Sequence, residues 1–396
     1  MRFYNVWGEN MDTIQQRIDF MDINMLDEYC SRLADEKICI TDDYEFAKAI
    51  DSVMEGNTYL SRIPIEKRII KSGNQKYFCY YPLTSNQKFD FVYDLTGFLR
   101  VVLDTDDNAK LKQLYRGHGS WIFDMIPGIY RKPNRNILQY ESQYIHEMIS
   151  SYPNFFSDCK TALDYLVVLQ HYSFPTRLLD FTENPLVALY MACASEKSDF
   201  ADVIIVKIKP TDFKYYDSDS ISLLANMAFA DDRIDVSDYS FIDYYHSYEE
   251  DKTNKEYKGH YNSLIQQFND RDDITRFLHL VRGEKPYFKA KIKPEHFDNA
   301  VLWVKAKQDF QRIVNQSGVF AIFGINRSKR NMIDFSYSKY DMFHILIPPE
   351  SKEKILQELD KIHINQATLY CDMDRIASFH VEKFRSAIKE GDNLDV

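Results

Sequence analysis

An arginine and a histidine flank a glycine near residue 116, and these residue types together suit a ligand that carries phosphate. The segment reads Tyr115-Arg116-Gly117-His118. The planar guanidinium of arginine holds phosphate oxygens bidentately, and glycine lets the backbone approach a ligand because it has no Cβ. Tyr115 adds a ring on which a flat ligand can stack. We expect all four residues to contact such a ligand.

A second polar segment follows an apolar stretch further along the chain. It contains His171 and Tyr172, and Arg177 follows five residues later. Tyr172 is a second ring for stacking, and Arg177 is a second donor for a phosphate. An imidazole with an unperturbed pKa near 6.5 can act as a general base, so His171 is a candidate catalytic residue. The alternative for His171 is a hydrogen-bonded cap at the end of an apolar helix.

Asp180 and Gln316 are further candidate site residues, because they lie in the same set of polar segments and a carboxylate or an amide can hydrogen-bond a ligand.

The two arginines also have a structural interpretation. Arg116 and Arg177 can form buried salt bridges with Asp180 and Glu141 that fix the core of the domain, because a buried arginine requires an ionised partner. Cys193 is interpreted as a core residue, because it lies on the apolar stripe of a predicted helix.

Several reaction classes lack their sequence motifs in this chain. GxxxxGK[ST], GxGxxG, HExxH and GxSxG are all absent. Six cysteines are scattered without a C-x-x-C pair, which indicates reduced thiols and no zinc site. The net charge of −11, from 49 basic and 60 acidic residues, argues against an extended electrostatic grip on nucleic acid.

No apolar stretch approaches the roughly 18 to 20 residues that span a bilayer, and no secretory signal can be read at the N-terminus. We therefore expect a cytoplasmic protein without membrane contact.

Hydrophobic periodicity, caps and prolines predict a mixed α/β or α+β domain, and of these we expect an α+β fold with a mixed sheet and flanking helices. The residues between the second and third helices, from Pro175 to Asn184, are interpreted as a polar turn. The predicted helices are 141–151, 161–172, a helix that begins at 184, 351–362 and 374–389, and the predicted strands are 203–208, 300–305, 318–325 and 343–347.

Two domains are expected. Residues 1–100 form an N-terminal accessory region, and residues 101–396 form the main domain. Within the main domain, the acidic and Tyr-rich segment at about 211–275 is interpreted as an insertion that is either a solvated excursion or a lid over a site.

The polar segments, in their order, resemble the FRG domain, which is named for its Phe/Tyr-Arg-Gly signature. The resemblance covers roughly residues 110 to 380. It rests on the blocks YRGHGS…IPGIYR, Glu141, LVVLQHYSFPTRLLDFTENPLVALYMAC, RIVNQSGVF and LYCDMDRIA. The family is known mainly from bacterial and phage-associated proteins without an agreed activity, so this resemblance implies little about function.

The same blocks also resemble, more loosely, the order of motifs in ADP-ribosyltransferases. In this resemblance Tyr115-Arg116-Gly117 matches the first motif, Asp180-Phe181-Thr182 with the following helix matches the second, and Gln316 lies near the third. It implies an ADP-ribosyltransferase-like fold and NAD as a substrate, with Thr182 in ligand contact. Gln316 stands where an active transferase normally has Glu, and a neutral amide can hydrogen-bond the ribose but cannot offset developing positive charge. The resemblance therefore implies another carboxylate near the ribose, with Asp180 as the first candidate and Glu183 and Glu141 as the alternatives.

Two functions remain open from the sequence. In the first, the protein is an NAD-using ADP-ribosyltransferase-like enzyme that acts as a toxin or a phage defence effector, and its acceptor is a protein, a nucleic acid or a small molecule. In the second, the same residues form a non-catalytic module that binds a nucleotide or a nucleic-acid end, with Arg116, Arg131, Lys132, Arg135 and Arg177 supplying local basicity.

Overall fold

The computed structural model divides the chain into two compact units. The first unit comprises residues 1–124, 182–208 and 339–396, and the second comprises 125–181 and 209–338. The structure describes residues 65–72, 75–82, 87–105, 110–121, 123–230, 234, 255–288, 291–296, 300–326, 328–329, 331, 333, 340, 342–370 and 372–389. Among these residues no helix is both long and apolar enough to cross a membrane.

The described residues form strands and α-helices throughout both units. The strands are β1 Ile65–Ser72, β2 Gln75–Pro82, β3 Gln87–Phe91, β4 Lys112–His118, β5 Leu178–Thr182, β6 Ala201–Ile208, β7 Phe213–Tyr215, β8 Val301–Lys305, β9 Gly318–Phe323 and β10 Met342–Ile347. The helices are α1 Leu95–Asp104, α2 Glu141–Ser151, α3 Ala162–His171, α4 Pro185–Ala194, α5 Asp219–Asn226, α6 Lys255–Asn269, α7 Asp272–Glu284, α8 Gln311–Asn315, α9 Pro349–Lys361, α10 Gln366–Leu369 and α11 Met373–Lys389.

The first unit is built on a sheet with the strand order β3-β10-β6-β4. β10 runs parallel to β3 and antiparallel to β6, and β6 runs antiparallel to β4, so the sheet is mixed. One face of this sheet packs against α1, α4 and α9 in a single apolar core. β1 and β2 pair separately as an antiparallel ladder.

The second unit contains the strands β5-β9-β8-β7 in that order. β8 is antiparallel to β9 and parallel to β7, so the pairing of these strands is also mixed. The core of this unit is formed with side chains from α3, α5, α6 and α7. Both units therefore combine strands of mixed direction with helices, which confirms the predicted α+β class.

The helices that frame the polar segments begin where their cap residues predict. Thr161 and Asp164 form a reciprocal capping box at the start of α3. Asn184 caps α4 by accepting from the backbone N–H of Leu186, and Pro185 occupies the first helical position. These local signals confirm both predicted starts, and α2 matches its predicted bounds, 141–151.

The interpretation of Pro175–Asn184 as a polar turn is wrong for its central residues, which form β5. Leu178, Leu179, Phe181 and Thr182 are buried and only Asp180 is exposed, so tertiary burial makes a strand of a short segment that carries several polar residues.

The segment 211–275 also differs from a solvated excursion where the structure describes it. All residues from Ile221 to Asn226 in α5 are buried, and α6 buries Tyr261, Ile265 and Phe268. The acidic residues in this segment flank short apolar stretches that belong to the core. Whether it is an insertion, and the predicted boundary near residue 100, stay predictions, and the structure of residues 1–64 lies outside the described residues.

Candidate functional site

The strand β4 carries the Tyr115-Arg116-Gly117-His118 segment and separates its residues onto two faces. Tyr115 belongs to the core beneath α4. Because successive side chains of a strand point to opposite faces, Arg116 and His118 share the other face. The structure therefore divides this segment into two packing residues and two residues on the face opposite α4.

Gly117 lies where β4 packs against α4. A Cβ at this position would overlap the carbonyl oxygen of Ala188 and lie 2.7 Å from the backbone nitrogen of Ala192. The missing side chain thus lets the helix approach the strand closely. A ligand contact by Gly117 or Tyr115 stays a prediction.

Arg116 and His118 contact each other on the opposite face of β4. Arg116 Nε donates a hydrogen bond of 2.8 Å to His118 Nε2. Because Nε2 accepts, the proton of the neutral imidazole resides on Nδ1. His118 is buried and Arg116 is partly exposed.

The neighbouring strands add a carboxylate and a second imidazole to this face. Asp202 on β6 is the register partner of His118. His344 on β10 and Arg116 on β4 are both partners of Ile204 in β6, so they stand on either side of it. His344 Nδ1 donates to Asp202 Oδ2 at 2.8 Å. We call Arg116, His118, Asp202 and His344 the four-residue patch.

The carboxylate of Asp202 is only partly satisfied by hydrogen bonds. Its side chain is 4% exposed, and Oδ1 has no hydrogen-bond partner among the described residues. A buried oxygen of this kind is costly unless something binds it. The next row of the sheet consists of the buried apolar residues Leu114, Val206 and Met342. The patch therefore combines one cation, one anion and two imidazoles next to an apolar surface.

Asp202 and His344 were not predicted from the sequence. Each is a titratable residue within a strand that is otherwise almost wholly apolar, ADVIIVKI for β6 and MFHILI for β10. A charged residue in such a buried strand is rare unless it is paired or functional, and this was the available signal. No group of three or more potential metal ligands occurs among the described residues.

A buried lysine fixes the backbone that follows His118. Lys352 Nζ donates to the carbonyl oxygens of Gly119 at 2.8 Å, Glu196 at 2.6 Å and Ser195 at 3.4 Å. Burial lowers the pKa of Lys352 to about 8. These bonds tie the end of β4 to the end of α4 and the start of α9.

Thr182 and Glu183 also belong to the first unit. Thr182 is buried and is the register partner of Tyr115, and its hydroxyl accepts from the backbone N–H of Asn184. Glu183 forms an ion pair with Lys112. The structure thus gives both residues local structural contacts, and the predicted ligand contact of Thr182 stays a prediction.

Arg177 is fully buried in the second unit, and its donors are all directed at protein groups. Nε donates to Glu141 Oε1 at 2.8 Å and Oε2 at 2.9 Å, and Nη2 donates to Oε2 at 2.6 Å. The remaining bonds go to Tyr130 Oη and to the carbonyl oxygens of Gly324 and Lys329. These partners account for all five N–H donors of a guanidinium.

The charge of Glu141 maintains the ionised state of Arg177 in this core. Burial acts to lower the pKa of Arg177, but the charge and hydrogen bonds of Glu141 outweigh it and raise the pKa above its usual value. Burial also raises the pKa of Tyr130 to about 12. The geometry favours the structural interpretation of Arg177, with Glu141 as its partner. Asp180, the other partner considered, accepts a hydrogen bond from Gln170.

The other predicted residues of the second unit lie near the end of α3. The His171 ring stacks on Phe310 with centroids 4.7 Å apart, and Tyr172 is 50% exposed. Arg312 Nη1 donates to the carbonyl oxygen of His171 at 3.4 Å. Gln316 follows α8 as its C-cap residue and donates its backbone N–H to Arg312.

The structure therefore brings Arg116 together with His118, and adds Asp202 and His344 to them. Arg116 and Thr182 belong to the first unit, whereas Arg177 and Gln316 belong to the second. The predicted contact of Arg116, Thr182, Arg177 and Gln316 with one ligand stays a prediction.

Comparison with known proteins gives a family for part of the chain. Residues 112–200 match the family model of the FRG domain. The chain thus contains an FRG domain, and the matched residues run from β4 to the residue before β6 and include Arg116, His118 and Arg177. No curated protein and no solved structure matched the chain.

Proposed function

We propose that this FRG-domain protein cleaves the nicotinamide glycosidic bond of NAD at the four-residue patch and transfers the ADP-ribosyl group to an acceptor. The observation that carries the proposal is the buried, partly unsatisfied carboxylate of Asp202 on the same sheet face as Arg116. The proposal also draws on the resemblance between these motifs and those of ADP-ribosyltransferases.

Each member of the patch has a task that its chemistry suits. Arg116 binds the pyrophosphate, because a guanidinium pairs with phosphate oxygens in a planar geometry. Asp202 accepts from a ribose hydroxyl and stabilises the positive charge that develops on the ribose. His344 is oriented by its hydrogen bond to Asp202 and serves as the general base.

The atoms and electrons of the proposed reaction balance as follows from the bonds that break and form. The C–N bond between ribose and nicotinamide breaks, and its electron pair leaves with the pyridine nitrogen, which becomes neutral. A lone pair of the acceptor forms the new bond to the ribose carbon, and the acceptor proton passes to His344. The products are nicotinamide and an ADP-ribosylated acceptor.

Asp202 also supplies the negative charge that the neutral Gln316 lacks. A neutral amide cannot offset the positive charge of the transition state, whereas an ionised carboxylate can. In the proposed function Asp202 takes this role, and neither Gln316 nor Arg177 contacts the reacting atoms.

The test is nicotinamide release from NAD by the purified full chain, with and without a cell lysate. Release that requires the lysate would indicate transfer to an acceptor in the lysate, and labelled NAD would then identify it. Release without lysate would indicate hydrolysis of NAD. We expect Arg116→Ala to abolish either signal.

The matched control is Arg100→Ala, because Arg100 is an exposed arginine of the same unit, on α1. It should release nicotinamide at the wild-type rate. Absence of release from folded wild-type protein would refute the enzymatic proposal. Saturable NAD binding in that case, lost in Arg116→Ala, would support the non-catalytic nucleotide-binding alternative. A role as a toxin or phage defence effector stays a prediction.

A further inference from the structure

A cavity of about 170 Å³ lies within the second unit, at the start of α3. Val167 and Val168 of α3 form its apolar part, and both are buried. The rings of Phe155 and Phe310 line it as well, and Phe155 is 56% exposed. The volume is similar to the about 150 Å³ of an engineered apolar cavity that binds benzene.

The residues that line the cavity carry more negative than positive charge. Lys307 Nζ lies 2.9 Å from Asp164 Oδ2, so these two charges offset each other. Asp158 and Asp309 are exposed, and neither forms an ion pair with another residue that the structure describes. Three carboxylates and one ammonium leave two negative charges in the lining.

The negative charge of the lining affects the thiol of Cys159, which also lines the cavity. Burial and the charges of Asp164, Asp158 and Asp309 together raise the pKa of Cys159 to about 11, and these three charges outweigh the opposing charge of Lys307. The excess of negative charge therefore acts at the cavity itself.

We propose that this cavity binds a small organic cation through an alkylammonium or alkylguanidinium group. The cationic head lies near Asp158 and Asp309, and its alkyl chain packs on Val167 and Val168. Phe155 and Phe310 also line the cavity, and an aromatic ring attracts a cation that lies over its face. A neutral ligand of the same shape gains only the apolar part of this binding.

The site is independent of the four-residue patch and of the reaction proposed there. Its residues all belong to the second unit, whereas those of the patch belong to the first. Failure of either proposal therefore leaves the other unchanged.

The test uses the reactivity of Cys159, a partly buried cysteine of the cavity lining. Alkylation of Cys159 by iodoacetamide is followed by mass spectrometry in the full chain, with n-butylguanidinium or its neutral isostere n-butylurea as the probe. We expect butylguanidinium at about ten times its Kd to slow alkylation about tenfold, because only unoccupied protein reacts. Butylurea at the same concentration should leave the rate nearly unchanged.

Two charge-matched double variants complete the test. Asp158→Asn with Asp309→Asn should abolish the protection, measured as the ratio of rates with and without probe within that variant. Asp217→Asn with Asp270→Asn removes the same charge from exposed positions that do not line the cavity, and should retain the protection. Equal protection by both probes, no protection by either, or protection that survives in the first double variant would each overturn the proposal.

Discussion

Replacement of Glu141 by Gln tests whether Arg177 belongs to the core or to a ligand site. Glu141 is fully buried and is the only carboxylate bonded to Arg177 among the described residues. Lys329 Nζ lies 3.6 Å from the same carboxylate oxygen, Oε2. The three side chains together carry a net charge of plus one, so Glu141→Gln leaves two buried cations without an anion between them.

The expected cost follows from that charge arithmetic. Removal of one partner from a buried ion pair lowers the free energy of unfolding by about 3 to 5 kcal/mol, because the other charge stays buried. Here two cations lose their counter-ion, so we expect the upper part of this range. Lys329→Met keeps the Arg177–Glu141 pair, and it removes bonds to the carbonyl oxygens of Ala228 and Ala230. That change should cost about 1 to 3 kcal/mol.

The two changes should also be coupled. In the Glu141→Gln background, loss of Lys329 removes a like charge from beside Arg177. The cost of Lys329→Met should therefore fall by about 1 to 3 kcal/mol relative to its cost in the wild type.

Urea denaturation monitored by tryptophan fluorescence measures these differences, since Trp303 is buried in the second unit. A loss below about 1 kcal/mol for Glu141→Gln would refute the assignment of Arg177 to the core. An unchanged cost of Lys329→Met in the two backgrounds would refute the charge arithmetic.

Three further predictions concern the first unit and its controls. Gly117→Ala should lower the free energy of unfolding by about 1 to 3 kcal/mol, because the new methyl group meets the backbone of α4. The control is Gly259→Ala in α6, where a methyl group meets no atom within 4 Å, and this change should raise the free energy of unfolding by up to about 1 kcal/mol. Asn184→Ala removes the cap of α4 and should cost about 1 kcal/mol in urea denaturation, and an unchanged midpoint would contradict the cap. For Lys352, the folded pKa of about 8 lies below the unfolded value of 10.5, so the unfolded state binds more protons between these values. The contribution of Lys352 to the free energy of unfolding should thus rise with pH in that window by up to about 1.4 kcal/mol per unit, measured at each pH as the difference between the wild type and Lys352→Met.

Helix boundaries could be predicted because their signals are local. Thr161, Asp164, Asn184 and Pro185 lie within one turn of the helix starts that they specify. The strand β5 could not be predicted in the same way. Its five residues form a strand because they are buried and paired in the folded chain. Neither burial nor pairing can be predicted from the polar residues of the segment alone.

The candidate site was predicted only in the part that lies on one strand. Arg116 and His118 are two residues apart, so the alternation of β4 alone places them on a common face. Asp202 and His344 join them through the pairing of β6 with β4 and β10. That register depends on contacts between residues far apart in the sequence.

Arg177 shows the opposite case. An arginine suits a phosphate ligand, but in the folded chain Arg177 donates its hydrogen bonds to the buried carboxylate of Glu141. The sequence contained both interpretations, and only the hydrogen-bond partners distinguish them.

The most direct test of the central claim is the rate of nicotinamide release from NAD by wild-type protein and by Asp202→Asn. The substitution keeps the size of the side chain and removes its charge, so it leaves the site without the group that stabilises the developing cation. We predict a loss of about 100-fold or more, comparable with the loss of one stabilising group in other active sites. Release by Asp202→Asn at the wild-type rate would contradict the proposed role of the four-residue patch.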